Sequence, residues 1–241
     1  MVSKSEIKLI SSLQQKKYRN QSGLFVAEGR KVIAELLNEG MDIKAFYTTQ
    51  ADEVKDKNHH LVSERELQKM SSLKTANGSL AIFHIPSKVT ISRKGITVVL
   101  DSIRDPGNLG TIIRLCDWFS ANLVCSEDTV DCYNSKVVQA TMGSIARVPL
   151  LYQDLKEFLE VESRPILGAR MDGDNVYQKQ LPAEAVLILG NEANGISESI
   201  SQYITKAIAI PQFGISQKTE SLNVATAGAI LLSELRRSTE M

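Results

Sequence analysis

The sequence predicts an α/β protein in two parts: a small α/β unit, then a doubly wound domain built on a parallel sheet. Three observations carry that expectation. From residue 96 onward, short apolar runs alternate with helical periodicities, the pattern of strands joined by crossover helices. Ile96 to Leu100 is a nearly continuous apolar run, as expected of a parallel strand covered on both faces. Between residues 86 and 95 the chain turns polar, with Pro86 and Gly95 at its ends, and the pattern then restarts. The expected division is residues 1–85, a linker at 86–95, and residues 96–241.

Each element has a local reason. Ser5 to Lys17 reads as a helix with Ile7, Leu9, Ile10 and Leu13 on one side. Phe25–Ala27 is a short strand, and Arg30–Asn38 a helix that Gly40 closes. Lys44–Thr48 is a strand. Ser63 and Glu66 form a capping box for a helix ending near Ser71, and Leu80–Ile85 is the next strand. In the second part, strands are expected at Ile96–Leu100, Leu123–Cys125, Pro165–Ala169, Ala185–Leu189 and Ala207–Ile210. Helices are expected at Leu109–Phe119, Ser135–Thr141, Gln153–Val161, Ser197–Tyr203 and Leu222–Arg237.

Composition narrows the class. With 43% hydrophobic and 23% charged residues, the chain has the make-up of an ordinary soluble protein able to bury a sizeable core. No apolar run approaches the roughly 20 residues of a membrane span. No apolar core of a signal peptide follows Met1–Glu6, so a cytoplasmic location and no membrane partner are expected. Cys116, Cys125 and Cys132 lack CxxC spacing, and His59, His60 and His84 form no ligand pattern, so neither a disulfide framework nor a metal site is indicated. The formal charge is zero but uneven. Residues 1–94 hold 16 Lys and Arg against 10 Asp and Glu; the rest hold 12 against 18. The basic half points to a polyanion partner, with Lys16, Lys17, Arg19 and Arg30 as its candidate contacts.

Three strings carry the chemistry. Asp105-Pro106-Gly107-Asn108-Leu109-Gly110 runs on to Ile112-Ile113-Arg114. Its Pro-Gly turn precedes a helix that Asn108 can cap, with Arg114 returning to roughly the same side. Leu189-Gly190-Asn191-Glu192 follows an apolar strand, and a glycine there lets a ligand approach the backbone. Ile210-Pro211 leads to Ser221-Leu222-Asn223-Val224, where Ser221 can cap a final helix with a broad apolar surface. A nicotinamide enzyme would need G-x-G-x-x-G after its first strand, which is not present, and no Walker A lysine motif occurs.

In this order the three strings resemble the SpoU (TrmH-type) RNA 2′-O-methyltransferases of the SPOUT class. Asp131, Tyr133-Asn134, Lys136-Val137-Val138, Ala140, Met142-Gly143 and Pro149 extend the likeness between the first two strings. It reaches more loosely into Lys17-Tyr18-Arg19 and Phe25 to Gly29. Gln139, Thr141, Gln212-Phe213-Gly214 and a longer stretch from Gly214 to Ser221 depart from the family's pattern.

The resemblance implies a C-terminal trefoil knot, a homodimer through the C-terminal domain, and a preceding RNA-binding domain akin to ribosomal proteins of L30e-like fold. It implies S-adenosylmethionine as methyl donor and structured rRNA or tRNA as substrate. Arg114, Asn108, Glu192, Ser221 and Asn223 would be the catalytic set, with Glu192 reaching Arg114 or the ribose. Leu189, Gly190, Ile210 and Leu222 would hold the cofactor, and no metal would be needed. The alternative is a non-catalytic RNA-binding protein of the same fold, which gives no reason for Asn108, Arg114, Glu192 and Asn223 to occur together.

Overall fold

A computed structural model describes residues 2–54, 56–87, 89–178, 180–214 and 220–237. The chain forms two compact units. The first comprises residues 1–88 together with Asp131–Arg147, and the second the remainder. The boundary near residue 88 falls within the expected linker. The expected second domain, however, gives up the segment 131–147, whose helix lies against a strand of the first unit.

The first unit begins with α1 (Lys4–Ser12), α2 (Lys16–Ser22), β1 (Leu24–Glu28), α3 (Arg30–Asn38) and β2 (Ile43–Thr48). It continues with β3 (His59–Leu61), α4 (Glu64–Met70) and β4 (Ser79–His84). Its sheet has the order β1-β4-β2-β3, antiparallel except for the β2–β3 pair. Ile10, Leu13, Val26, Leu67, Met70 and Ile82 form its core. The capping box at Ser63 and Glu66 is present.

The single helix expected over Ser5–Lys17 is instead two. The chain tightens after Ser12, with Gln14 and Gln15 donating to the carbonyls of Ser11 and Ser12 at 3.3 and 3.0 Å. This turn lets Arg19 Nη1 donate 2.7 Å to Leu13 O, satisfying an orphan carbonyl at the end of α1.

Arg19 is also the clearest correction among the candidate RNA contacts. It is only 2% exposed, and its Nε and Nη2 donate to Asp131 Oδ2 at 2.8 and 2.5 Å. A guanidinium held in this way is an internal tie and is withheld from phosphate. Lys16, Lys17 and Arg30 are exposed, with Arg30 3.2 Å from Glu53.

The second unit opens with β5 (Ile96–Leu100), α5 (Pro106–Trp118) and β6 (Ala121–Cys125). Next in the chain come α6 (Ser135–Thr141), which belongs to the first unit, and then β7 (Leu150–Tyr152) and α7 (Leu155–Glu160). The chain closes with β8 (Ile166–Asn175), β9 (Ala185–Leu189), α8 (Glu198–Ser201), β10 (Lys206–Ala209) and α9 (Val224–Arg237). All pairings in its six-stranded sheet are parallel, in the order β10-β8-β9-β5-β6-β7. One face buries Val99, Val124, Val186 and Ile188 against Phe158, Leu159 and Ile200.

The last helix packs on α5. Gly228 lets the helix lie close to the end of β9 as well, because a methyl there would stand 3.1 Å from Leu189 Cδ1. Arg236 fastens the far end by donating from Nε and Nη2 to the carbonyls of Phe119 and Ser120, both at 2.8 Å. A cation at the C-terminus of α5 satisfies carbonyls that no helical amide reaches. Val224, Ala225, Leu231, Leu232 and Leu235 are buried within the chain, which accounts for most of the breadth of this helix's apolar surface.

Two expected caps are replaced by neighbours. Asp105, and not Asn108, caps α5: its Oδ1 accepts from the Asn108 amide at 2.8 Å. Pro106 then fills the first helical position, where no amide is needed. Asn223, and not Ser221, caps α9, its Oδ1 accepting from the amides of Ala225 and Thr226 at 3.0 and 3.2 Å. Of the expected longer stretch before Ser221, residues 215–219 lie outside the described residues.

Candidate active site

The sheet's winding brings the three strings together. From β5 the chain moves outward through β6 and β7, then returns to the other side of β5 for β8, β9 and β10. The reversal lies between β5 and β9, which are parallel neighbours in register from Ile96–Ala185 to Leu100–Leu189. Loops leaving their C-terminal ends therefore meet at one edge, where ligands bind in open α/β sheets.

Hydrogen bonds join those loops. Asn223 Nδ2 donates to Asn108 Oδ1 at 2.8 Å, and Asn108 Nδ2 donates to Glu192 Oε1 at 2.8 Å. Three candidate residues, up to 115 positions apart, thus form one chain. Arg114 does not join it. It is exposed on α5 and has no hydrogen-bond or ion-pair partner among the described residues. Of the two expected partners of Glu192, Arg114 or a ribose, Arg114 makes no bond to it among the described residues; Asn108 holds Glu192 Oε1. Ser221 is exposed beside Asn223.

A second tie was missed in the sequence. Asn191 Nδ2 donates to Ser102 O at 2.6 Å, while its Oδ1 accepts from the amides of Ala193 and Asn194 at 2.9 and 3.3 Å. An Asn at a turn that bonds its own backbone is a known local signal. The bond to Ser102 is the part that spacing could not indicate. Below it, Asp101 is buried and accepts from the Ser197 amide at 2.7 Å.

Gly190 is needed for a close approach within the chain itself. A methyl built on it would lie 2.2 Å from Gly195 C and Ile196 N. The space is filled by the chain's own returning loop, which closes through Asn191 N to Gly195 O at 2.9 Å.

Beside these loops lies a cleft of about 1180 Å³. Leu189, Gly190, Ile210 and Leu222 line it, as do Glu192, Ser221 and Asn223; Asn108 and Arg114 do not. Among the described residues its charged lining is four carboxylates, Asp172, Glu192, Glu198 and Glu220, against the guanidinium of Arg170. Arg170 is spent on Asp172 at 2.9 Å, and that hydrogen bond holds the Asp172 carboxyl below its ordinary range. Among the described residues, no group of three or more His, Cys, Asp or Glu could hold a metal ion.

An all-parallel sheet with an acidic cleft at its winding reversal, bordered by the start of its final helix, defines an α/β enzyme-type domain with room for a nucleotide-sized cation. The chain belongs to the SpoU rRNA methylase family, whose profile matches residues 95–233. Residues 4–81 match an MRM3-like substrate binding domain.

Among known proteins, it is similar to the 23S rRNA (guanosine(2553)-2′-O)-methyltransferase RlmP of Bacillus subtilis, 27% identical over 242 residues covering 96% of each chain. A solved protein from Porphyromonas gingivalis assigned to the TrmH family of RNA methyltransferases superposes with a TM-score of 0.89 at 34% identity, over 99% of this chain and 100% of that one. An AdoMet-bound rRNA methyltransferase from Sinorhizobium meliloti superposes at 0.87 with 27% identity, over 100% and 98%.

Proposed function

We propose that this chain is an S-adenosylmethionine-dependent RNA methyltransferase acting on ribose 2′-hydroxyls of structured rRNA or tRNA. The observation that carries the reading is the hydrogen-bonded chain Asn223–Asn108–Glu192 at the acidic cleft of a SpoU-family domain. S-adenosylmethionine supplies a methyl group already activated on a sulfonium, so no metal is required. Cleft chemistry fits that group: carboxylates outnumber guanidinium groups around a cationic ligand, and Leu189, Ile210 and Leu222 offer apolar surface to an adenosine. The cleft exceeds the roughly 300–1,000 Å³ of common small-molecule pockets, leaving room for a ribose as well.

The remaining work is alignment and charge. Asn108 and Asn223 fix Glu192, and Ser221 stands beside them to take a phosphate or the methionine end of the cofactor. Arg114 orients a substrate phosphate and stabilises the charge developing on the ribose oxygen. Correct alignment is worth up to about 7–11 kcal/mol in favourable reactions. The reading is tested by incubating purified protein, labelled S-adenosylmethionine and total RNA from cells lacking the protein. Label should appear as 2′-O-methylribose. Tight RNA binding with no transfer would instead mark a non-catalytic RNA-binding protein.

We assign RNA capture to the first unit, which we read as L30e-like on the strength of its mixed sheet and its match to a substrate-binding domain. Its contacts include Lys16, Lys17 and Arg30. Charge contacts to phosphate release counterions, so binding should weaken steeply with salt. Replacing Lys16 and Lys17 together by glutamate should lower RNA affinity and flatten the log–log salt slope by about 1.5. Affinity for S-adenosylmethionine should stay the same. An unchanged slope would reduce these lysines to solvated surface.

We further read the C-terminal segment as the trefoil knot of this class, since the end of the chain returns to pack on α5 and cap it. A crystal structure whose backbone pulls straight from its two ends would overturn that. The protein is proposed to be a cytoplasmic homodimer. No helix among the described residues is long and apolar enough to cross a membrane, and fractionation that leaves the protein in the membrane pellet would refute the location. Trp118, at the end of α5, is 84% exposed, and symmetric pairing lets one such patch meet its copy. Light scattering should give about twice the monomer mass of 26.6 kDa at micromolar concentration; a stable monomer would refute the dimer.

A further inference from the structure

Methyl transfer to a hydroxyl needs a group that takes the hydroxyl proton. We propose that Glu192 is the proton acceptor, an inference that rests on the methyltransferase reading above. A guanidinium has five donors and no accepting lone pair, so Arg114 is unsuited to the task by its chemistry. It also does not line the cleft. Glu192 does line it, and a carboxylate offers two accepting oxygens.

The geometry holds this carboxylate ready. Asn191 locks the loop from both sides, donating 2.6 Å to Ser102 O and accepting from the Ala193 and Asn194 amides. Asn108 Nδ2 then takes one oxygen, Glu192 Oε1, at 2.8 Å. Asn108 is itself held by Asn223 at 2.8 Å. The other oxygen, Oε2, has no partner among the described residues. A carboxylate fixed through one oxygen, with the second unclaimed beside a ligand cleft, is placed for general-base work.

The step balances as follows. The ribose O2′–H bond breaks as its proton passes to Glu192 Oε2. The electron pair left on O2′ forms the new bond to the methyl carbon. The bond from that carbon to sulfur breaks, its pair staying on sulfur, so the sulfonium becomes a neutral thioether. Glu192 then returns its proton to water.

Glu192→Gln separates this role from a structural one. Its carbonyl still accepts from Asn108, but the atom replacing Oε2 is a donor. Single-turnover methyl transfer at saturating RNA and S-adenosylmethionine should fall by about 10²–10⁴-fold. Glu192→Asp, which keeps a base on a shorter arm, should recover at least about tenfold of that loss.

A second readout needs no turnover. The probe is an rRNA fragment centred on the nucleotide the wild-type protein methylates, made with either a 2′-hydroxyl or a 2′-deoxy sugar at that position. Without S-adenosylmethionine, wild type should prefer the hydroxyl form by about tenfold, the worth of a hydrogen bond to a charged group, and Glu192→Gln should lose that preference. Retention of wild-type turnover by Glu192→Gln, or of its hydroxyl preference, would overturn the proposal. So would Glu192→Asp performing no better than the glutamine. Absence of methylation by wild type would instead refute the function on which the proposal rests.

Discussion

Arg114→Ala is expected to cut methyl transfer by about 10²–10³-fold while leaving RNA and S-adenosylmethionine affinities nearly unchanged. The residue stands exposed on α5 with no hydrogen-bond or ion-pair partner among the described residues, so its removal breaks no such tie there and should not unfold the protein. On the proposed reading, what it removes is a positive charge that stabilises the ribose oxygen as that oxygen turns negative. An interaction made only in the transition state lowers kcat and kcat/KM together. Arg114→Lys should recover part of the rate, because an ammonium keeps the charge but cannot grip a phosphate with two parallel hydrogen bonds. Single-turnover kinetics, with filter binding for RNA and calorimetry for the cofactor, separate these outcomes. An alanine variant within about threefold of wild type would remove Arg114 from the catalytic set.

Gly190→Ala should be the most damaging methyl group one can add near the cleft. Its Cβ would sit 2.2 Å from backbone atoms of Gly195 and Ile196, which cannot turn aside as a side chain can. Gly190 directly follows β9, whose residues are all buried, so the strand has little room to retreat. We expect a loss of about 3 kcal/mol or more in urea unfolding, at unchanged m-value. Affinity for S-adenosylmethionine should fall with it, because the displaced loop carries Glu192. Gly214→Ala is the control: among the described residues nothing lies within 4 Å of its added methyl, and its midpoint should stay near wild type. Equal midpoints for the two variants would mean that the loop behind Gly190 yields.

Much of this protein was legible in its sequence. The strands Ile96–Leu100 and Ala185–Leu189 have the bounds their apolar runs imply, because a strand covered on both faces is nearly all apolar, with buried Thr97 the one polar residue in the first. The helices Arg30–Asn38 and Ser135–Thr141 also match their periodicities. The strings that name the family are local, so they too were readable, and with them the expectation that Asn108, Glu192 and Asn223 belong to one set.

Only the tertiary structure decided the rest, wherever the outcome depended on a distant partner. Arg19 looks like an RNA contact in a basic stretch, yet Asp131, 112 positions away, turns it into a buried tie. Neither spacing nor charge announces a pair so remote. Caps shifted to Asp105 and Asn223 because several polar residues stood in reach of each helix start, and the path of the backbone chose among them. Gly190 was legible as a glycine that something must approach closely, but its own loop fills the space. Asn108 was expected to cap α5 and was found between Glu192 and Asn223. Sequence determined which chemical groups this protein carries and on which elements they ride. Folding decided which of them spend their hydrogen bonds on each other, and which, like Arg114 and one oxygen of Glu192, stay unspent among the described residues.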